Sequence, residues 1–165
     1  MRLSVERTRV KLIIRKASVC WKGGAKGGTQ AMTNESTVLK KAAFPLRSLL
    51  KKNASKVPAE LIAAAHARSF SIALSDELGL KARATGETIT TATVTAERLA
   101  AGWTIRNVHL NVVAKLPKMT QAKFIDAAVR AKINCLISRL LRANISMNAK
   151  LETTTKPRQR RPVVP

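Results

Sequence analysis

The sequence predicts an α+β domain, and three stretches carry that expectation. ETITTATVTAE at 87–97 is crowded with β-branched residues, which fit a pleated strand. PAELIAAAHARSFSIALS at 58–75 spaces its apolar residues as a helix does. ANISMNAKL at 143–151 alternates apolar and polar, the mark of a half-buried strand. Strands, a long helix, more strands, helices and a last strand then follow in blocks, which is α+β order.

Residues 1–16 are basic with a β-branched middle, Val10 to Ile14, and suit a strand or an arm. WKGGAKGGT at 21–29 reads as a hairpin loop. Its lysines and glycines could lie near phosphate, but neither GxxxxGK[ST] nor GxGxxG is present. A basic loop covers 40–57. Pro58 then opens a helix, where its fixed φ suits the first turn. Glu60 falls in that turn, where an acid suits the dipole. Leu61, Ala64, Ala65, Phe70, Ala73 and Leu74 recur at helical spacing, and the run ends near Gly79. GWTIRNVHLNVVAK at 102–115 is the partner of strand 87–97. Its apolar phase slips between Ile105 and Val108, which places a bulge near Arg106 and Asn107. Pro117 ends the strand. Thr120 caps a helix whose apolar face holds Phe124, Ala128 and Ala131, with Ile125 and Val129 beside it. A short helix follows from Cys135 with Leu136, Ile137, Leu140 and Leu141. The end, TTTKPRQRRPVVP, is basic and Pro-rich and reads as an extended tail. The expected organisation is a basic arm at 1–16, one domain at 17–151 and a tail at 152–165.

Charge is the strongest compositional signal. The 165 residues hold 31 Lys and Arg against 9 Asp and Glu, a formal +22. That exceeds the magnitude of about 2 to 8 that suits a small soluble domain, so a polyanionic partner is expected. Hydrophobic residues make up 45% but aromatics only 3%, so the core must be aliphatic and alanine-rich. The two cysteines, Cys20 and Cys135, have no metal-ligand spacing and make no disulfide framework, and a reducing compartment is the default. No 18-residue apolar run is present, and the first residues lack a secretory apolar region.

Three stretches together are similar to one known family: PAELIAAAHARSFSIALS, TTATVTAERLAAGWTIRNVHLNVVAKLP at 90–117, and AKINCLISRLLRANISMNAKL at 131–151. From about Ala17 to Leu151 the chain resembles the OsmC/Ohr hydroperoxide-resistance proteins, closer to the OsmC branch. The resemblance implies antiparallel sheets wrapped around a long central helix, in an intertwined dimer. It implies peroxide reduction by two cysteines, one in a motif like AAHAxCF and one in a motif like GCPxS. On this chain the first position is Ser69 and the second is Cys135. The family's activating glutamate and arginine match Glu60 and Arg47, and its histidine matches His66.

Ser69 breaks the pattern. A serine hydroxyl ionises far less readily than a thiol and has no sulfenic-acid step, so it cannot perform the peroxidatic half-reaction. A hydrolytic role for Ser69 with His66 finds no nucleophile elbow in the sequence. The expectation is therefore a catalytically inactive OsmC-like protein, recruited as an RNA-binding structural part of a ribonucleoprotein. A mitochondrial ribosome is the expected particle, with localisation in the matrix and the cytoplasm as alternative. Its partners would be ribosomal RNA, ribosomal proteins and a second OsmC-like chain, identical or related. No cofactor, metal, membrane or small substrate is expected. The residues expected on nucleic acid are Arg2, Arg7, Arg9, Lys11, Arg15, Lys16, Lys22, Lys26, Lys40, Lys41, Lys51, Lys52, Lys56, Lys156, Arg158, Arg160 and Arg161. The alternative is a thiol-dependent hydroperoxide reductase or redox sensor acting through Cys135. That reading requires an exposed, acidic Cys135, whereas a structural role permits a buried, inert one.

Overall fold

The structure is a computed structural model that describes residues 11–22, 29–34, 56–79 and 86–152. Five strands and three helices occur among them. The strands are β1 (Leu12–Lys22), β2 (Thr29–Asn34), β3 (Glu87–Leu99), β4 (Gly102–Lys115) and β5 (Asn144–Leu151). The helices are α1 (Lys56–Glu77), α2 (Gln121–Asn134) and α3 (Leu136–Leu140).

The strands form one sheet in the order β2-β1-β3-β4-β5. The first four join antiparallel, and β1 and β2 flank residues 23–28 as a hairpin. β5 lies parallel to β4, because α2 and α3 fill the connection and carry the chain back to the strand's starting end. The ladder runs one residue past β5, where the Glu152 N–H donates to the Ala114 carbonyl at 2.7 Å.

Strand alternation assigns two faces to the sheet. Ala17 and Val19 of β1, Ala92 and Val94 of β3, and Val108, Leu110 and Val112 of β4 are buried on the inner face. The helices cover that face. α1 contributes Ala63, Ala67, Phe70 and Leu74, and α2 contributes Phe124, Ala127, Ala128 and Ala131. Alanines at the contact let the helices lie close to the strands, so an aliphatic core closes with two aromatic rings at its centre. Each fully buried Phe, Leu or Val contributes about 1.5–3 kcal/mol through removal from water. The Ser71 hydroxyl is buried in this layer, 2.8 Å from the Ala67 carbonyl and 3.0 Å from the Thr90 hydroxyl, so its polar group is satisfied.

Local chemistry sets the element ends. The β3–β4 register shifts where Thr95 faces Asn107 and Ala96 faces Ile105, which leaves Arg106 as the extra residue of a bulge. The Thr120 hydroxyl caps α2 by accepting from the Lys123 N–H at 3.4 Å. α1 stops where Gly79 turns left-handed, at φ +58°, a conformation that glycine adopts at little cost. Its start differs from the expectation. The helix begins at Lys56, two residues before Pro58, so Glu60 leaves the first turn for the second. A proline permits a helix start without requiring that it be the first residue.

Candidate active site

Cys135 occupies the junction of α2 and α3. Its N–H donates to the Ala131 carbonyl at 2.8 Å, ending α2, and its own carbonyl accepts from the Arg139 N–H at 3.1 Å, starting α3. Two consecutive helices thus hold the residue from both sides. It is buried in the core cluster, against the layer that holds α1.

His66 and Ser69 stand three residues apart on α1, so both project from one face of that helix. The Cys135 Sγ lies 3.3 Å from the Ser69 Oγ. The His66 Nε2 lies 2.9 Å from the Ser138 Oγ, one turn along α3 from Cys135. Four side chains from two distant segments therefore meet in one small cluster. His66 is fully buried, and its Nδ1 has no hydrogen-bond partner among the described residues.

The cluster acidifies the thiol. Burial alone would push Cys135 up, because a thiolate loses hydration. The neighbouring His66, Ser69 and the backbone and side chain of Ser138 together favour the thiolate more strongly, and hold the group down to about 6. Cys20 has the opposite setting. Burial raises its thiol, and its Sγ donates at 3.0 Å to the carboxylate of Glu87, whose negative charge raises it further. Cys20 alternates with the buried Val19 and Trp21, so it faces away from the helices and from Cys135.

Of the five residues expected at the family site, the structure brings together Cys135, Ser69 and His66. Glu60 is buried on α1, six residues before His66. Arg47 lies outside the described residues. Ser138 is a member that sequence reasoning missed. Its three-residue spacing from Cys135 on a short helix was the available signal. The test of Cys135 has a mixed result, since the residue is buried, as a structural role permits, yet acidic, as a reactive thiol requires.

Most of the residues expected on nucleic acid fall outside what the structure describes. Arg2, Arg7, Arg9, Lys26, Lys40, Lys41, Lys51, Lys52, Lys156, Arg158, Arg160 and Arg161 lie outside the described residues, as does the side chain of Lys56. Lys11, Arg15, Lys16 and Lys22 lie on or beside β1. Lys22 pairs with Glu87 at 3.5 Å, and the half-buried Arg15 donates to the Ile14 carbonyl at 2.6 Å.

Residues 52–150 match the family model described as OsmC-like protein. The chain is 30% identical over 141 residues to the protein named Peroxiredoxin OsmC of Escherichia coli (strain K12), covering 86% of this chain and 99% of that one. The Peroxiredoxin OsmC of Shigella flexneri matches equally, at 30% over 141 residues. Among solved structures, an OsmC-like protein of unknown function from Vibrio cholerae superposes with a TM-score of 0.51 at 15% identity, covering 87% of this chain and 99% of that one.

These relatives overturn the expectation of a catalytically inactive, RNA-binding ribosomal component. The matched proteins carry a peroxiredoxin name, and none of those named here is ribosomal or RNA-binding. The physical error was to rest all redox chemistry on position 69. Ser69 cannot be oxidised, but its hydroxyl serves the thiolate of Cys135. Net charge, for its part, describes association in general and does not name a partner. None of these findings bears on the mitochondrial or cytoplasmic placement.

Proposed function

The chain belongs to the OsmC-like family, and on that premise we propose that it is a thiol-dependent hydroperoxide reductase acting through Cys135. The observation that carries this reading is the 3.3 Å contact between the Cys135 sulfur and the Ser69 hydroxyl, in a cluster that holds the thiol down to about 6. At neutral pH such a thiol is largely thiolate, the form that attacks peroxide.

The thiolate attacks the terminal oxygen of a hydroperoxide. An S–O bond forms, the O–O bond breaks, and the departing alkoxide takes a proton to leave as an alcohol. Cys135 becomes a sulfenic acid. Ser69 donates to the thiolate before the attack and fixes the sulfur's position. Ser138, backed by His66 at 2.9 Å, is placed to pass a proton to the departing oxygen. Ser69, expected where the family has its peroxidatic cysteine, thus acts as a positioning residue.

The apolar surface fits a second copy of the chain. Leu61 and Ile72 are exposed on α1, and Ile133, Leu136 and Leu140 are exposed by 62%, 72% and 71% on α2 and α3. A homodimer would cover them.

The test is consumption of cumene hydroperoxide with an excess of thiol reductant. The wild-type chain should turn over, and Cys135→Ser should fall to the background rate. A wild-type rate equal to that of Cys135→Ser would overturn the reading.

A further inference from the structure

We infer that Cys135 works without a resolving thiol from its own chain, and that its sulfenic acid is reduced by a small anionic monothiol drawn in by Arg68 and Arg139. This rests on the reductase reading above and names its second substrate.

The chain has two cysteines. Cys20 is on β1 and faces away from the helices, hydrogen-bonded to Glu87 on the outer side of the sheet. Cys135 is packed in the core on the inner side. A disulfide needs Cα atoms about 4.4–6.8 Å apart with side chains turned toward one another. Here the sheet backbone stands between the two sulfurs. Among the described residues, the side chain hydrogen-bonded to Cys135 Sγ ends in an oxygen, Ser69 Oγ, which cannot close a disulfide.

Burial and charge select the reductant. Cys135 is 1% exposed, so the thiol that reaches it must be small. Arg68 adjoins Ser69 on α1 and is exposed. Arg139 lies one turn after Cys135 on α3 and is also exposed. Neither makes an ion pair among the described residues. Arg68 and Arg139 are next in sequence to the two serines of the cluster, Ser69 and Ser138, and their guanidiniums suit carboxylates on the incoming thiol.

The steps balance. The reductant's thiolate attacks the Cys135 sulfur, an S–S bond forms, the S–O bond breaks, and hydroxide leaves as water after gaining a proton. A second equivalent attacks the first reductant's sulfur and releases the Cys135 thiolate. One hydroperoxide and two thiols yield one alcohol, one water and one small disulfide.

The experiment uses the full chain and glutathione. After one equivalent of cumene hydroperoxide, glutathione should give a mixed disulfide on Cys135 by intact mass and peptide mapping, in Cys20→Ser as in wild type. In steady state the double variant Arg68→Ala, Arg139→Ala should raise the KM for glutathione about fivefold, with kcat kept. Its KM for the neutral thiol 2-mercaptoethanol should not move, which separates lost recruitment from lost folding. A Cys20–Cys135 disulfide would overturn the inference, as would equal losses with both thiols. A sulfenic acid that forms and ignores glutathione overturns this inference alone. A Cys135 that peroxide never oxidises overturns the reductase reading and this inference together.

Discussion

The sulfur of Cys135 and the hydroxyl of Ser69 lie 3.3 Å apart, a contact between residues separated by 66 positions. It joins the central helix to the short crossover helices and gives Ser69 a part in thiol chemistry that oxygen cannot perform itself. Removing that hydroxyl should weaken the thiolate. Ser69→Ala is expected to move the pH midpoint of Cys135 alkylation up by about one, the size of a lost hydrogen bond to a charged group. Iodoacetamide rates between pH 5 and 9, in a Cys20→Ser background, would check it. An unchanged midpoint would remove Ser69 from the site.

The same geometry predicts a gain. Ser69→Cys places a second sulfur beside the first, within the reach of a disulfide. Peroxide should then remove both thiols of that pair together, and non-reducing peptide mapping should find them linked. Persistence of a free Cys135 thiol after one equivalent of peroxide would contradict the contact.

Stability should depend on pH through Cys135. Its thiol is held at about 6 in the folded chain against an ordinary value of 9.0. Between those values the unfolded chain binds more protons, so stability rises with pH across that window and is lost as pH falls through about 6. The span is on the order of a few kcal/mol. Urea midpoints measured from pH 5.5 to 9 should climb in wild type and flatten in Cys135→Ala. A wild-type midpoint independent of pH would refute the acidic thiol.

Core truncation gives a prediction without redox chemistry. Phe124 is fully buried between α2 and its neighbours. Phe124→Ala should cost about 3–5 kcal/mol by lost burial and a residual cavity. Gly86 is tight in a different way, since an added Cβ would meet Leu116 Cδ2 at 2.6 Å and the Lys115 carbonyl at 3.3 Å. Gly86→Ala should therefore cost about 1–3 kcal/mol as Leu116 is forced aside. Denaturant melts of both variants would show the order, with Phe124→Ala the larger loss.

Much of the fold was legible because its signals are local. The phase slip between Ile105 and Val108 located the Arg106 bulge, and Thr120 and Gly79 marked helix ends by their own chemistry. The parallel pairing of β5 was less legible, since alternation at 143–151 reveals a face but not a neighbour. The site divides in the same way. The pairing of Ser69 with Cys135 was accessible through resemblance to a family. The acidity of Cys135 was not, because it depends on where His66 and Ser138 arrive after the chain has crossed the sheet. A residue's own chemistry shows in the sequence, whereas its electrostatic setting depends on the packing.

The crossover from β4 to β5 ties reactivity to synthesis. α1 is made early, and the segment bearing Cys135 and Ser138 emerges only after β3 and β4. Until that segment docks on α1, Cys135 is an ordinary, weakly ionised thiol. The chain therefore gains its acidic thiol in the last stage of its own assembly, and unfinished or misfolded copies carry a sulfur no more acidic than any other.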